Sequence, residues 1–237
     1  TMKVQEKLDL PPYFRRMEEV NLAGQPILGS LPRPPMLSPK DLMAEKGRGI
    51  VVDVRSPPAF AAAHIQGSIS LPMMMLPHYS GWILPYDRPL YLVTEDGKTE
   101  KAVRPLIRVG YDCLAGCLRG GIEAWARAGL PLERFDAISP LELDERMRSG
   151  EDIFLLDVRS EKEWRNGHAE RAAHIYTGYL PERLDEVPRD REVAVMCSSG
   201  LRGSIAASLL QADGREKVSN VLGGLLGWKK ACLPVVE

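Results

Sequence analysis

The feature that most constrains this chain is that it carries the same set of residues twice. An offset of 103 aligns Gly120-Gly121 with Gly223-Gly224, Trp125 with Trp228, and Leu130-Pro131 with Leu233-Pro234. Upstream, an offset of 104 aligns Asp53 with Asp157, Arg55 with Arg159, Phe60 with Trp164, and His64 with His168. Ser38-Pro39 and Ser139-Pro140 both read as an N-cap serine followed by proline at the first helical position. A period of this length is too long for a solenoid and suits a compact domain, so the chain reads as a tandem duplication. The units are residues 34–133 and 134–237, preceded by a proline-rich extension over residues 1–33.

Within each unit, short and nearly all-apolar runs alternate with helical patterns. Ile50-Val51-Val52-Asp53-Val54 and Ile153-Phe154-Leu155-Leu156-Asp157-Val158 form one such pair, and Leu90-Tyr91-Leu92-Val93 and Val193-Ala194-Val195-Met196 form the other. Runs of this kind belong to strands buried on both faces, so each unit is expected to be α/β, a parallel sheet flanked by helices. In such sheets ligands bind at the carboxyl ends of the strands, where Cys197 and Arg159 fall.

Composition narrows the function classes. Of the 237 residues 44% are apolar and 27% charged, which is ordinary for a soluble globular protein, and the net charge of -1 gives no electrostatic case for nucleic acid. No apolar run approaches the ~20 residues of a membrane-spanning helix and no signal-peptide pattern opens the chain, so the reading is a cytoplasmic protein without a membrane partner. The four cysteines are too few for a disulfide scaffold.

The segment Val193 to Leu210 carries the chemistry. An apolar strand runs into Cys197, then into the loop Ser198-Ser199-Gly200-Leu201-Arg202-Gly203-Ser204 and an apolar helical run. Such a loop leaves backbone N–H groups free at the positive end of a helix dipole, a place suited to an anion. The helix terminus and the arginine both favour a thiolate, which makes Cys197 a candidate nucleophile, with Arg202 orienting an incoming anion. Arg159 reads as a strand-end residue, anchored by a carboxylate or touching substrate.

The first unit lacks these groups. Thr94 stands at the Cys197 position and Thr99 at the Arg202 position, in the acidic loop Thr94-Glu95-Asp96-Gly97-Lys98-Thr99-Glu100, so this unit reads as catalytically degenerate. Cys113 and Cys117 form a C-x-x-x-C pair without two further zinc ligands and read as buried thiols. His64, His78, His168 and His174 have no metal-binding spacing, Met73-Met74-Met75 reads as core or interdomain filler, and neither metal nor cofactor is assigned.

Both units resemble rhodanese (sulfurtransferase) domains over roughly residues 34 to 237. The second does so through Asp157-Val158-Arg159, the Trp164 to His168 stretch, the Cys197 loop, and Gly223-Gly224 with Trp228. The resemblance implies a doubly wound parallel sheet with helices on both faces. It also implies an activity in which Cys197 carries a sulfane sulfur as a persulfide. The expected donor is thiosulfate or a low-molecular-weight persulfide, and the expected acceptor a thiol or cyanide. Ser198, Ser199, Gly200, Leu201, Gly203, Ser204 and Arg159 are expected to line the substrate. Two alternatives stay open: a non-catalytic binding module and a cysteine phosphatase, whose C-x-x-x-x-x-R loop is one residue longer. The run Leu10-Pro11-Pro12-Tyr13-Phe14-Arg15-Arg16-Met17 resembles the tail following a metallo-β-lactamase-fold domain in fusions with tandem rhodaneses, which implies an upstream domain of that kind.

Overall fold

The computed structural model describes residues 11–24 and 28–237. Its strands are β1 (Met36–Leu37), β2 (Ile50–Asp53), β3 (His64–Ile65), β4 (Ile69–Ser70), β5 (Leu90–Val93), β6 (Leu114–Leu118) and β7 (Leu132–Glu133) in the first half. The second half holds β8 (Asp136–Ile138), β9 (Ile153–Asp157), β10 (His168–Ala169), β11 (Ala173–His174), β12 (Glu192–Met196), β13 (Val218–Val221) and β14 (Val235–Val236). The helices are α1 (Tyr13–Ala23), α2 (Pro39–Glu45), α3 (Pro57–Ala62), α4 (Leu76–Ile83), α5 (Thr99–Arg108), α6 (Gly121–Arg127), α7 (Pro140–Arg148), α8 (Glu161–Arg165), α9 (Leu201–Ala212) and α10 (Gly224–Lys230).

The duplication is visible in the topology. One five-stranded sheet has the order β1-β6-β5-β2-β4 and the other β8-β13-β12-β9-β11, and every pairing within both is parallel. Each unit also has a small antiparallel pair, β3 with β7 and β10 with β14. The repeated residues have repeated jobs. Trp125 and Trp228 are buried and each donates its indole N–H to the carbonyl of the following proline, Pro131 at 2.9 Å and Pro234 at 2.8 Å. Phe60 stacks on His64 and Trp164 on His168, with ring centroids 3.9 and 3.5 Å apart. Ser38 and Ser139 cap α2 and α7 with proline next in the chain, as their pattern predicts.

The two units share one apolar core. The largest cluster of buried side chains joins Val52, Phe60 and Leu92 to Leu156, Val195 and Ile205. From Gly203 to Leu210 helix α9 is small or apolar on all sides, as a helix stretch buried all round must be, and these eight of its twelve residues are buried. It closes the edge of the first sheet: β4 leaves the Ser70 N–H pointing away from β2, and Ser208 Oγ accepts it at 2.9 Å. Ser70 Oγ also lies 2.8 Å from Ser204 Oγ.

The structure departs from the sequence reading outside the sheets. The extension is not extended throughout, since Tyr13–Ala23 is a helix. Pro11 and Pro12 precede it, where a missing N–H costs nothing, and Tyr13 and Arg16 dock on the first unit, the Arg16 guanidinium 4.4 Å over the Tyr86 ring. Leu10 and Pro26 lie outside the described residues. Cys113 is exposed, contrary to its reading as a buried thiol, because it precedes β6 in the turn rather than pointing into the sheet. Met74 is exposed, whereas Met73 and Met75 pack against the shared core.

Candidate active site

The carboxyl ends of β12 and β9 meet at one point. β12 delivers Cys197 there, β9 delivers Asp157 and Arg159, and α9 starts immediately beyond. Gly200 initiates α9 with φ 102°, a left-handed conformation that favours glycine, and this bend turns its N–H back to the Cys197 Sγ at 3.0 Å. The Cys197 side chain is buried. The loop is held from the far side by α10, whose Leu225 and Leu226 N–H groups donate to the carbonyls of Cys197 at 2.7 Å and Ser198 at 3.1 Å. Gly224 permits this approach. It has φ 52°, and a Cβ there would stand 2.0 Å from the Cys197 carbonyl oxygen.

The remaining polar groups converge on a residue the sequence reading missed, Glu163 on α8. Its carboxylate accepts from Arg202 Nη1 at 2.6 Å and Nη2 at 2.7 Å, from Ser198 Oγ at 2.6 Å, and from the Ser160 N–H and hydroxyl at 3.1 and 2.9 Å. Burial alone would raise this carboxyl, but the Arg202 and Ser198 hydrogen bonds outweigh it and hold the group well below the ordinary carboxylate range. The signal was present locally: Ser160-x-x-Glu163 is a capping box, and both of its reciprocal bonds form. What the spacing could not show is that the same carboxylate also receives a guanidinium from 39 residues on.

This geometry corrects two expectations. Arg202 reaches the site but is not a free cation, since its side chain forms a bidentate pair with Glu163 and donates to Ser198 Oγ at 2.8 Å. Of its two readings, Arg159 takes the carboxylate anchor and not the substrate contact. It is buried, pairs with Asp157, and donates to the carbonyls of Glu163 at 3.0 Å and Gly167 at 2.9 Å, so it braces α8 and thereby sets Glu163. Of the other expected lining residues, Ser199, Gly200 and Leu201 border an open cavity, while Gly203 and Ser204 are buried within α9. The Ser204 N–H is spent on the Gly200 carbonyl at 3.1 Å.

A second missed residue is Asn220 at the end of β13, whose Nδ2 donates to the Gly200 carbonyl at 3.1 Å. In the first unit its place is taken by Cys117, which is buried with its Sγ 3.6 Å from Thr94 Oγ1 and 3.4 Å from Thr99 Oγ1. There Ala59 occupies the position of Glu163, counting back the same 104 residues. The first unit thus replaces Cys197, Arg202, Glu163 and Asn220 together. Of its loop carboxylates, Glu95 pairs with Lys98 and Glu100 with Arg104. No group of three or more His, Cys, Asp or Glu side chains placed to hold a metal occurs among the described residues.

The family description "Rhodanese-like domain" matches residues 38–128 and 139–231. The chain is similar to a protein named sulfurtransferase from Allochromatium vinosum, 34% identical over 94 residues that make up 40% of this chain and 88% of that protein. It is similar also to the thiosulfate sulfurtransferase GlpE of Actinobacillus pleuropneumoniae, 32% identical over 103 residues, 44% of this chain and 94% of the relative. Among solved structures, a rhodanese-related protein from Thermoplasma volcanium aligns with 28% identity and a TM-score of 0.40, covering 43% of this chain and 98% of its own. No helix among the described residues is long and apolar enough to cross a membrane.

Proposed function

The chain belongs to the rhodanese-like family, and from that premise we propose that it is a sulfurtransferase whose second unit carries sulfane sulfur on Cys197. The observation that carries the reading is the Cys197 Sγ at the end of β12, with the Gly200 N–H on it at 3.0 Å at the start of a twelve-residue helix. A thiolate there attacks the outer sulfur of thiosulfate or of an organic persulfide. The new S–S bond forms as the donor's S–S bond breaks, and sulfite or the donor thiolate leaves with the electron pair. The Cys197 persulfide carries one negative charge, which the loop amides stabilise. An acceptor thiolate or cyanide then attacks that outer sulfur and returns Cys197 as thiolate.

Glu163 and Arg202 act as positioning residues in this scheme. Their pair fixes Ser198 and the start of α9, and leaves a nearly neutral rim around the thiol where a lone arginine would have presented a full charge. The first unit is a degenerate copy serving as a partner to the second. The sequence likeness at Leu10 to Met17 supports placing the chain after a metallo-β-lactamase-fold domain, whose product it would receive.

Intact mass spectrometry tests the central step. Incubation with thiosulfate or a persulfide donor is expected to add the mass of one sulfur atom, removable by cyanide or a thiol, and Cys197→Ser abolishes the adduct. Serine at Cys113, Cys117 or Cys232 leaves it. An adduct that survives Cys197→Ser, or none with any donor, overturns the reading in favour of a binding module.

A further inference from the structure

His174 ends β11 with its side chain 15% exposed, and both of its ring nitrogens face acceptors. Nε2 lies 2.7 Å from the Arg159 carbonyl oxygen, and Nδ1 lies 3.3 Å from Glu161 Oε2. A carbonyl and a carboxylate only accept, so a neutral imidazole, with a single N–H, satisfies one of them and turns a lone pair on the other. The imidazolium donates to both. The ring also stacks on Trp164, with centroids 4.8 Å apart, and an indole face favours a positive charge over it.

What this ring grips is the segment that sets Glu163. Arg159 and Glu161 flank Ser160, and the Ser160 N–H and hydroxyl hold the carboxylate that clamps Arg202 and Ser198. Arg165 holds the other oxygen of Glu161 at 2.8 Å, which places that carboxylate between two donors. Other charges near the ring are matched elsewhere. Asp157, beside His174 across the β9–β11 pairing, is paired with Arg159, and Glu163 with Arg202. His168 stacks on the same indole, its Nδ1 3.1 Å from the Trp164 carbonyl oxygen. The first unit lacks the arrangement, since 104 residues back Ser70 stands for His174 and Pro57 for Glu161.

We propose that His174 is a positioning residue for the sulfur-transfer site and acts in its charged form. The imidazolium pins Arg159 and Glu161, and so holds Ser160 and Glu163 where the pair with Arg202 shapes the Cys197 loop. The proposal rests on Cys197 carrying sulfur. Histidine side chains change charge between about pH 5 and 8, so the clamp closes in acid and slackens as the pH rises. When it slackens, Nδ1 turns a lone pair on Glu161, α8 loses one of its anchors, and the Gly200 N–H is held less firmly on the Cys197 Sγ.

The test compares the full chain with His174→Gln, Glu161→Gln and the double variant. Glutamine at 174 still has an N–H for the Arg159 carbonyl but carries no charge, and Glu161→Gln is a change at a half-exposed position that leaves folding intact. The rate of loading Cys197 with sulfur from thiosulfate is read by intact mass from pH 5.5 to 8.5. The ratio of wild type over His174→Gln is expected to be several-fold at pH 5.5 and to fall towards one at pH 8.5; the ratio cancels the titration of Cys197, which both proteins share. Glu161→Gln is expected to show the same fall, and adding His174→Gln to it changes nothing further. Alkylation of Cys197 by iodoacetamide, which needs no sulfur donor, is expected to give ratios that fall in the same way, and ring 15N spectra at pH 5.5 to show hydrogen on both His174 nitrogens. Ratios constant with pH, additive losses in the double variant, or a bare His174 nitrogen at pH 5.5 overturn the proposal. Alkylation ratios that fall with pH in a chain that forms no sulfur adduct with any donor overturn the sulfurtransferase reading alone, so the two failures are told apart.

Discussion

Replacing Glu163 by glutamine should destabilise the second unit by about 2 kcal/mol at neutral pH, and the figure follows from where the pair sits. The Arg202 and Glu163 side chains are 15% and 34% exposed. A fully exposed ion pair is worth about 0.2–1 kcal/mol, whereas removing one partner of a buried pair costs about 3–5 kcal/mol. A pair between these limits, with two short charge-assisted bonds and a serine hydroxyl on the same carboxylate, falls near the middle. With a urea slope of about 3 kcal/mol/M, the unfolding midpoint drops by about 0.7 M. The pH dependence has a definite sign. Because the Glu163 carboxyl is held below its ordinary value in the folded protein, its contribution is fully present above the unfolded-state value near ~4.3 and is lost as the pH falls further. The gap between wild type and Glu163→Gln is therefore constant from pH 6 to 8 and narrows below about pH 4. Urea titrations at pH 7 and pH 3.5 measure both quantities. Equal midpoints at pH 7, or a gap that widens in acid, would refute the argument that Glu163 is an ionised clamp on Arg202.

Gly224→Ala combines a left-handed backbone with a Cβ 2.0 Å from the Cys197 carbonyl, so it should displace the loop, destabilise by more than about 2 kcal/mol and abolish sulfur transfer, as denaturation and donor assays would show. Ser208→Ala strands the buried Ser70 N–H between the units and should cost about 1–3 kcal/mol in urea unfolding without altering sulfur transfer. Thr94→Cys in the first unit should gain no sulfur adduct by mass spectrometry, because the groups corresponding to Arg202, Glu163 and Asn220 are Thr99, Ala59 and Cys117. An adduct on that variant would show that the thiol alone suffices.

Much of the molecule was legible in its residues before any coordinates. Period and repeated landmarks imply two like units. All-apolar runs alternating with helical patterns imply parallel sheets, because strands covered on both faces have no polar side to alternate with. The Cys197 loop announced itself through composition, as glycine, serine and a single cation between a strand and a helix have little packing purpose. Even the Ser160-Glu163 cap was readable, since a capping box is local. Tertiary structure decided where the charges went. Arg202 was expected to orient an incoming anion and instead meets Glu163, while Arg159, anchored by Asp157 as one of its readings had it, also braces α8. The Arg202–Glu163 pairing joins segments 39 residues apart, and nothing in one-dimensional spacing specifies which carboxylate a guanidinium will reach. The burial of α9 against β4, and the cavity that α3 of the first unit helps to line beside Gly200, depend on how two separately readable sheets pack. Hydrophobic periodicity shows that a face will be covered, because apolar area must leave water, but not by what. Partner choice is a property of three-dimensional shape, and the sequence records it only after folding.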